Sequence, residues 1–310
     1  MENLNQEESM SLSISDFIIS TFCVIDDELK KLKIANLRQR GFEPGLSDSE
    51  TITIEIVGEF LGIDTDKGIW SYFKAHWMHF FPKLPSRTTF VRHSANLWRI
   101  KQLLQETLSR SLGGISDLLH VIDGLPMHIC TFGHAYRAKN FKGEASYGYC
   151  AAKKEHYYGF KGHIVINTFG VIAASNVAAA NIDERDIAPS ITNQLQGILL
   201  GDKGYLRPSL KEEAASHHLH LITPVRSNMQ PGLWEQAKSF FGNSRRIIET
   251  VISQLSERLH IEKVRARDCW HLTARWARKL LAHTTATWLN YLRGSELLDF
   301  DGLVNCESCT

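Results

Sequence analysis

Two apolar runs each lead into an aspartate beside a glycine: Val121-Ile122-Asp123-Gly124 and, far downstream, Leu199-Leu200-Gly201-Asp202-Lys203-Gly204-Tyr205. Short apolar runs bounded by turn residues read as buried strands, which places both carboxylates where strands stop. Asp-Gly after a strand is first of all turn chemistry. Its repetition points further, because two acids at strand ends are where a two-metal phosphoryl-transfer site is built.

The segments around this pair predict an α/β protein with a helical front. Residues 12–112 carry helical periodicity: Phe17, Ile18, Phe22, Ile25 and Leu29 recur at spacings of one, three and four, and Thr53, Ile56, Val57, Phe60 and Leu61 follow the same rule. Ser47 and Glu50 form a capping box before the second group. A further helix start at Pro85-Ser86-Arg87 sets Arg87 and Arg92 near its first turns, where a DNA backbone is one possible partner and solvent the other. From Leu118 the pattern changes to short runs: Leu118 to Ile122, then Gly159 to Ile166 and Val171 to Val177 across the turn Asn167-Thr168-Phe169-Gly170, then Ile198 to Leu200 and Leu219 to Val225. Helices are expected after Asn181, with Ile187, Ile191 and Leu195 inward, near Pro208 to His217, and at the end. The resulting order is strand, hairpin of two strands, helix, strand, helix, strand, long helix.

A metal cage needs a third acid. In Arg245-Arg246-Ile247-Ile248-Glu249-Thr250, the residues Ile248, Ile252, Leu255 and Leu259 line one helical face, and Glu249 stands one residue beside that stripe. It can border the core and face the sheet, or simply pair with Arg245 or Arg246 along the helix. The separations of 79 residues from Asp123 to Asp202 and 47 from Asp202 to Glu249 are filled by the elements just read.

Charge supports a polyanionic partner. The net charge of +1 hides an asymmetry: residues 1–66 hold 14 acidic and 5 basic side chains, and the rest of the chain holds 20 acidic and 30 basic. A basic body suits nucleic acid. Between Arg137 and His163, six cations (Arg137, Lys139, Lys142, Lys153, Lys154, Lys161) alternate with Tyr136, Phe141, Tyr147, Tyr149, Tyr157 and Tyr158, the composition of a backbone-tracking groove with base stacking. Lys161 and His163 share a strand face, from which they steer a phosphate or a leaving oxygen if that face borders Asp123. A second basic surface is expected from Lys263, Arg265 and Arg267 onward through Arg275, Arg278 and Lys279.

The six cysteines are scattered, as reduced thiols are; Cys306-x-x-Cys309 is half a zinc motif without a second pair, and His128, Cys130 and His134 fit no recurring zinc spacing. No apolar run reaches 18 residues and the first ten residues are polar and acidic, so a cytoplasmic protein with no membrane partner is expected.

Five ordered motifs carry a family resemblance: Val121-Ile122-Asp123-Gly124-Leu125-Pro126, Gly148-Tyr149-Cys150-Ala151-Ala152-Lys153-Lys154, Tyr157-Tyr158-Gly159-Phe160-Lys161-Gly162-His163, Leu200-Gly201-Asp202-Lys203-Gly204-Tyr205 and Arg245-Arg246-Ile247-Ile248-Glu249-Thr250. With them the chain resembles bacterial insertion-sequence transposases with an Asp-Asp-Glu (DDE) catalytic triad. The resemblance implies a ribonuclease H-like mixed sheet flanked by helices over residues 116–295, an all-helical end-recognition region over 1–115 and a short tail over 296–310. It implies Asp123, Asp202 and Glu249 as catalytic ligands of two Mg²⁺ ions, for which Mn²⁺ substitutes. The implied partners are double-stranded DNA, contacted by Arg137, Lys153, Lys154, Lys161, His163, Lys203, Arg245, Arg246, Arg265 and Arg267, and further copies of the chain, acting on the bacterial nucleoid. Relatives often place Tyr, Arg, Glu and Lys along the third-acid helix; this chain keeps Arg245 but has Gly242 and Ser256 at the Tyr and Lys positions. The alternatives are a related nuclease that cuts without joining, and an inactive DNA-binding descendant.

Overall fold

The computed structural model describes residues 11–33, 44–151, 153–224 and 234–305. The Cys306-x-x-Cys309 motif and Val225, at the end of the last expected strand, lie outside these residues.

Helical periodicity in the first third produces α1 (Ile14–Leu32), α2 (Asp48–Phe60), α3 (Asp66–His76), α4 (Arg87–Asn96) and α5 (Trp98–Ser111). The capping box at α2 is present: Ser47 Oγ accepts from the Glu50 amide at 3.1 Å, and Glu50 accepts from the Ser47 amide at 2.7 Å. Caps of this kind are worth about 1 kcal/mol. Burial on α2 is wider than that stripe, since Ser49 and every residue from Thr51 to Phe60 are buried, Glu55 and Glu59 included.

The partners of those two acids correct one expectation. Helix α9 (Cys269–Leu292) packs on α2 and α5 and delivers Arg275, Arg278 and Lys279 into the interior instead of onto a DNA-facing surface. Arg278 bonds Glu59 at 2.6 Å, Asp66 at 2.7 Å and Glu55 at 3.0 Å, while Lys279 bonds Glu59 at 2.5 Å and Lys101 of α5 bonds Glu55 at 2.9 Å. Desolvated charges survive only when paired this way. Part of the acidic excess of residues 1–66 therefore meets part of the basic excess of the remainder inside the protein. Because α2 supplies the acids and α9 the bases, the helical front and the C-terminal helix share one buried layer.

The sheet is mixed. The long β1 (Leu119–Thr131) runs antiparallel to β3 (Glu155–Asn167), with Asp123 opposite Ile164 and Gly124 opposite His163. The far edge of β3 carries β2 (Ser146–Cys150) along its first residues and β4 (Ile172–Ala179) along the rest, both antiparallel. On the other side β5 (Gly197–Leu200) lies parallel to β1, and β6 (Leu219–Ile222) parallel to β5. This order, with β4, β3, β1, β5 and β6 side by side, is the ribonuclease H-like mixed sheet that was expected.

Helices cover both faces. α6 (Glu184–Thr192) and α7 (Pro208–Ser216) close one face over Ile122, Val165, Leu199 and Tyr205. α8 (Trp234–Ser253), α9 and α5 close the other over Val121, Leu125 and Ile164. Among the described residues, no helix is long and apolar enough to cross a membrane.

One boundary differs from the sequence reading in a way that matters for the site. Asp123 does not end its strand; β1 continues through Gly124 and Pro126 to Thr131. The pairing with β5 stops at Val121 and that side of β1 is next paired at His128, which bridges to Lys263, so Gly124 and Pro126 lie along an open stretch of edge where such residues are tolerated.

Candidate acidic active site

The parallel register aligns Val121 with Leu200, and continuing it two residues sets Asp123 beside Asp202. Along β1 the side chains alternate. Ile122 joins the α6 face and Asp123, between Val121 and Leu125, joins the α8 face. Asp202 leaves β5 as the cap of a short turn, its Oδ1 accepting from the Gly204 amide at 2.7 Å. Asp123 accepts from the Gly124 amide, also at 2.7 Å.

The two carboxylates are electrically coupled. Burial first, then the negative charges of Asp202 and Glu184, push the Asp123 pKa up to about 6, against the opposing pull of the Gly124 amide and of Arg245. Asp202 keeps an open side to solvent, yet the protein mass around its carboxyl still raises its pKa, with Glu184 adding to the rise and the Gly204 amide and Arg245 opposing it. Three acids are thus grouped within electrostatic reach of one another, with Lys161 and Arg245 as the nearby cations. An all-carboxylate donor set of this kind suits a hard divalent cation.

Glu249 lies on α8. It is exposed and its Oε1 accepts from Arg245 Nε at 2.8 Å, the helical ion pair that the sequence had left open as one of its two readings. Arg245 is also within electrostatic reach of Asp123 and Asp202. Among the described residues, no three His, Cys, Asp or Glu side chains already converge as a metal cage. After Glu249 the helix passes into one π-helical turn, Gln254–Arg258, which carries Ser256 and restores Leu255 and Leu259 to the core.

The acid that sequence reasoning missed is Glu184, the first residue of α6. A Cβ built at Gly204 would lie 2.6 Å from Glu184 Oε2 and 2.8 Å from Asp202 Oδ1, so both oxygens border one small space. The run Asp183-Glu184-Arg185-Asp186 was read only as a helix start. The available signal was that this helix follows β4 and precedes β5, which returns its first turn to the end of the sheet where Asp202 emerges.

The cationic residues divide by environment. Arg137, Lys154, Lys203, Arg246 and Arg267 are exposed. Lys153 pairs with Glu262 at 3.0 Å, Lys161 with Glu184 at 2.9 Å and Arg265 with Asp64 at 2.7 Å. His163, expected as a DNA contact, is 0% exposed on β3. Burial pushes its pKa down to about 4, so it is neutral at ordinary pH. The aromatic residues split likewise, with Tyr136, Tyr147 and Tyr149 exposed beside Phe132, and Tyr157, Tyr158 and Phe141 buried.

No curated protein matches the sequence. Among solved structures, the chain is similar to a piggyBac transposase synaptic complex with hairpin DNA, at 10% identity and a TM-score of 0.39, over 96% of this chain and 72% of that one. The family described as the transposase DDE domain matches residues 113–269, just over half of the chain, from before β1 to the start of α9, and the chain belongs to that family.

Proposed function

We propose that this protein is a transposase that cuts a phosphodiester at each end of its own insertion sequence and joins the freed 3′-hydroxyl to target DNA. The observation that supports this best is the pair Asp123 and Asp202, each with its pKa raised chiefly by burial and further by neighbouring carboxylates, inside a matched DDE domain. Two Mg²⁺ ions, or Mn²⁺ in their place, would supply Lewis-acid activation of the attacking oxygen and stabilisation of the departing one. Asp123 would be one of the residues that hold them, its backbone fixed by pairing with β3. Asp202 holds one side, oriented by the Gly204 amide. Glu249 completes the set by leaving Arg245, whose guanidinium then turns to a DNA phosphate.

Residues 116–295 would perform the chemistry and residues 1–115 would recognise the element's ends, where α4 exposes Arg87 and Arg92. Lys203 and Arg246 flank the acids in sequence and are exposed for backbone contacts on double-stranded DNA, with further copies of the chain pairing the two ends.

The test uses the full chain, Mg²⁺ and labelled DNA from the short inverted repeats expected on either side of the coding region. Cleaved and joined products are the expected result. Cleavage without joining leaves a nuclease, and end binding with neither product leaves an inactive DNA-binding descendant.

A further inference from the structure

Glu184 has no part in the Asp-Asp-Glu scheme, yet its Oε2 and Asp202 Oδ1 both lie within 3 Å of the position a Cβ would take at Gly204. Its two oxygens have different surroundings: Oε1 accepts from Lys161 Nζ at 2.9 Å and Oε2 faces the space it shares with Asp202 over Gly204. Its charge raises the pKa of both Asp123 and Asp202.

Two buried polar side chains mark the same place independently. The hydroxyl of Tyr205, a side chain that is 0% exposed, has no hydrogen-bond partner among the described residues and lies within electrostatic reach of Glu184, Asp123 and Asp202. His163 is equally enclosed, with both ring nitrogens unpartnered among the described residues, and it senses Glu184 and Lys161. Orphaned buried donors cost roughly 1–3 kcal/mol each. Retaining two of them near Glu184, Tyr205 also within reach of both aspartates, is what a site completed by a bound polar ligand would show.

We propose that Glu184 is a fourth carboxylate of the acidic site, binding a divalent cation together with Asp202, with Lys161 as the counter-charge that holds it when no cation is present. The proposal rests on the metal-dependent reading of Asp123 and Asp202. Cation binding draws Oε2 toward the metal and Lys161 remains on Oε1, so the second cation is bound against a nearby positive charge and more weakly than the first.

The experiment is Mn²⁺ titration of the full-length protein by calorimetry and by electron paramagnetic resonance of free Mn²⁺, with circular dichroism to confirm the fold of each variant. Wild type is expected to bind two ions of unequal affinity. Glu184→Gln should keep the tighter ion and weaken the other by at least tenfold. Lys161→Met, which keeps the length of the side chain but removes its charge, should instead tighten the weaker ion several-fold, an effect a purely structural ion pair would not give. If Glu184→Gln binds both ions as wild type does, or if Lys161→Met weakens binding, the role of Glu184 is wrong while the aspartate site stands. If wild type binds no Mn²⁺, the metal-dependent reading itself fails, and this proposal with it.

Discussion

Arg245 donates from Nε to Glu249 Oε1 at 2.8 Å along one face of α8, and the same guanidinium is within electrostatic reach of Asp123 and Asp202. One cation therefore links the third acid to the first two. Both side chains of the pair are more than half exposed, so it adds little to stability, typically below about 1 kcal/mol. Arg245→Gln is expected to leave the denaturation midpoint almost unchanged while lowering DNA cleavage about tenfold or more. A large loss of stability with cleavage retained would reverse the assignment.

Without metal, Asp123 makes the protein less stable as pH rises. Its pKa is about 6 in the folded chain against an ordinary 3.8, so between those values the folded state holds more proton than the unfolded one and stability falls with rising pH. The loss is complete well above the folded pKa and amounts to something on the order of 3 kcal/mol. Asp123→Asn should accordingly melt higher than wild type at pH 7 in chelator, with the gain vanishing near pH 4. Melting curves from pH 4 to 8 check this, and an equal shift at every pH would contradict it.

Arg278 is the hub of the buried charge layer, touching Glu55, Glu59 and Asp66. Arg278→Met strands those acids and should cost about 3–5 kcal/mol in chemical denaturation. It should not act through lost DNA contact, because the side chain is buried. A cost below 1 kcal/mol would mean that the layer is hydrated.

Gly204→Ala tests the crowding of the site. Its Cβ would meet Glu184 Oε2 and Asp202 Oδ1 inside normal contact distance, and both atoms are ends of side chains that can move. The fold should survive with a change of about 1 kcal/mol or less, while Mn²⁺ affinity drops several-fold. Unaltered Mn²⁺ affinity would show that the space over Gly204 is not part of the site.

Exposed cations should carry the DNA affinity and buried or paired ones should not. Arg246→Ala and Arg267→Ala are each expected to weaken binding for all sequences alike and to reduce the salt slope by about 1. Arg265→Ala, in which the lost side chain is already paired with Asp64, should change the slope less. Binding isotherms at several salt concentrations separate these outcomes.

Much of the fold was legible because local signals and tertiary needs agreed. Ser47 and Glu50 announced the start of α2, and the turn Asn167 to Gly170 announced the hairpin of β3 and β4. β2 was not read as a strand, since its Ser146-Tyr147-Gly148-Tyr149-Cys150 run lacks an apolar alternation and forms by pairing with β3. The extent of β1 was hidden for a related reason: Gly124 and Pro126 are breakers by composition, and only the absence of a β5 neighbour beyond Val121 makes them harmless. The charges of α9 were misplaced because a basic run is the same on paper whether it faces DNA or buried acids 200 residues earlier. Asp123 and Asp202 came together through a parallel register that their flanking sequences implied, whereas Glu184 came in through the return of α6 to the sheet end, which no local motif records.

The most direct measurement is Mg²⁺-dependent cleavage of the flanking-repeat DNA by wild type and by Asp123→Ala, with end binding followed in parallel. Loss of cleavage and joining with end binding intact is the expected result. Cleavage that survives the loss of Asp123 would contradict the assignment of the acidic site.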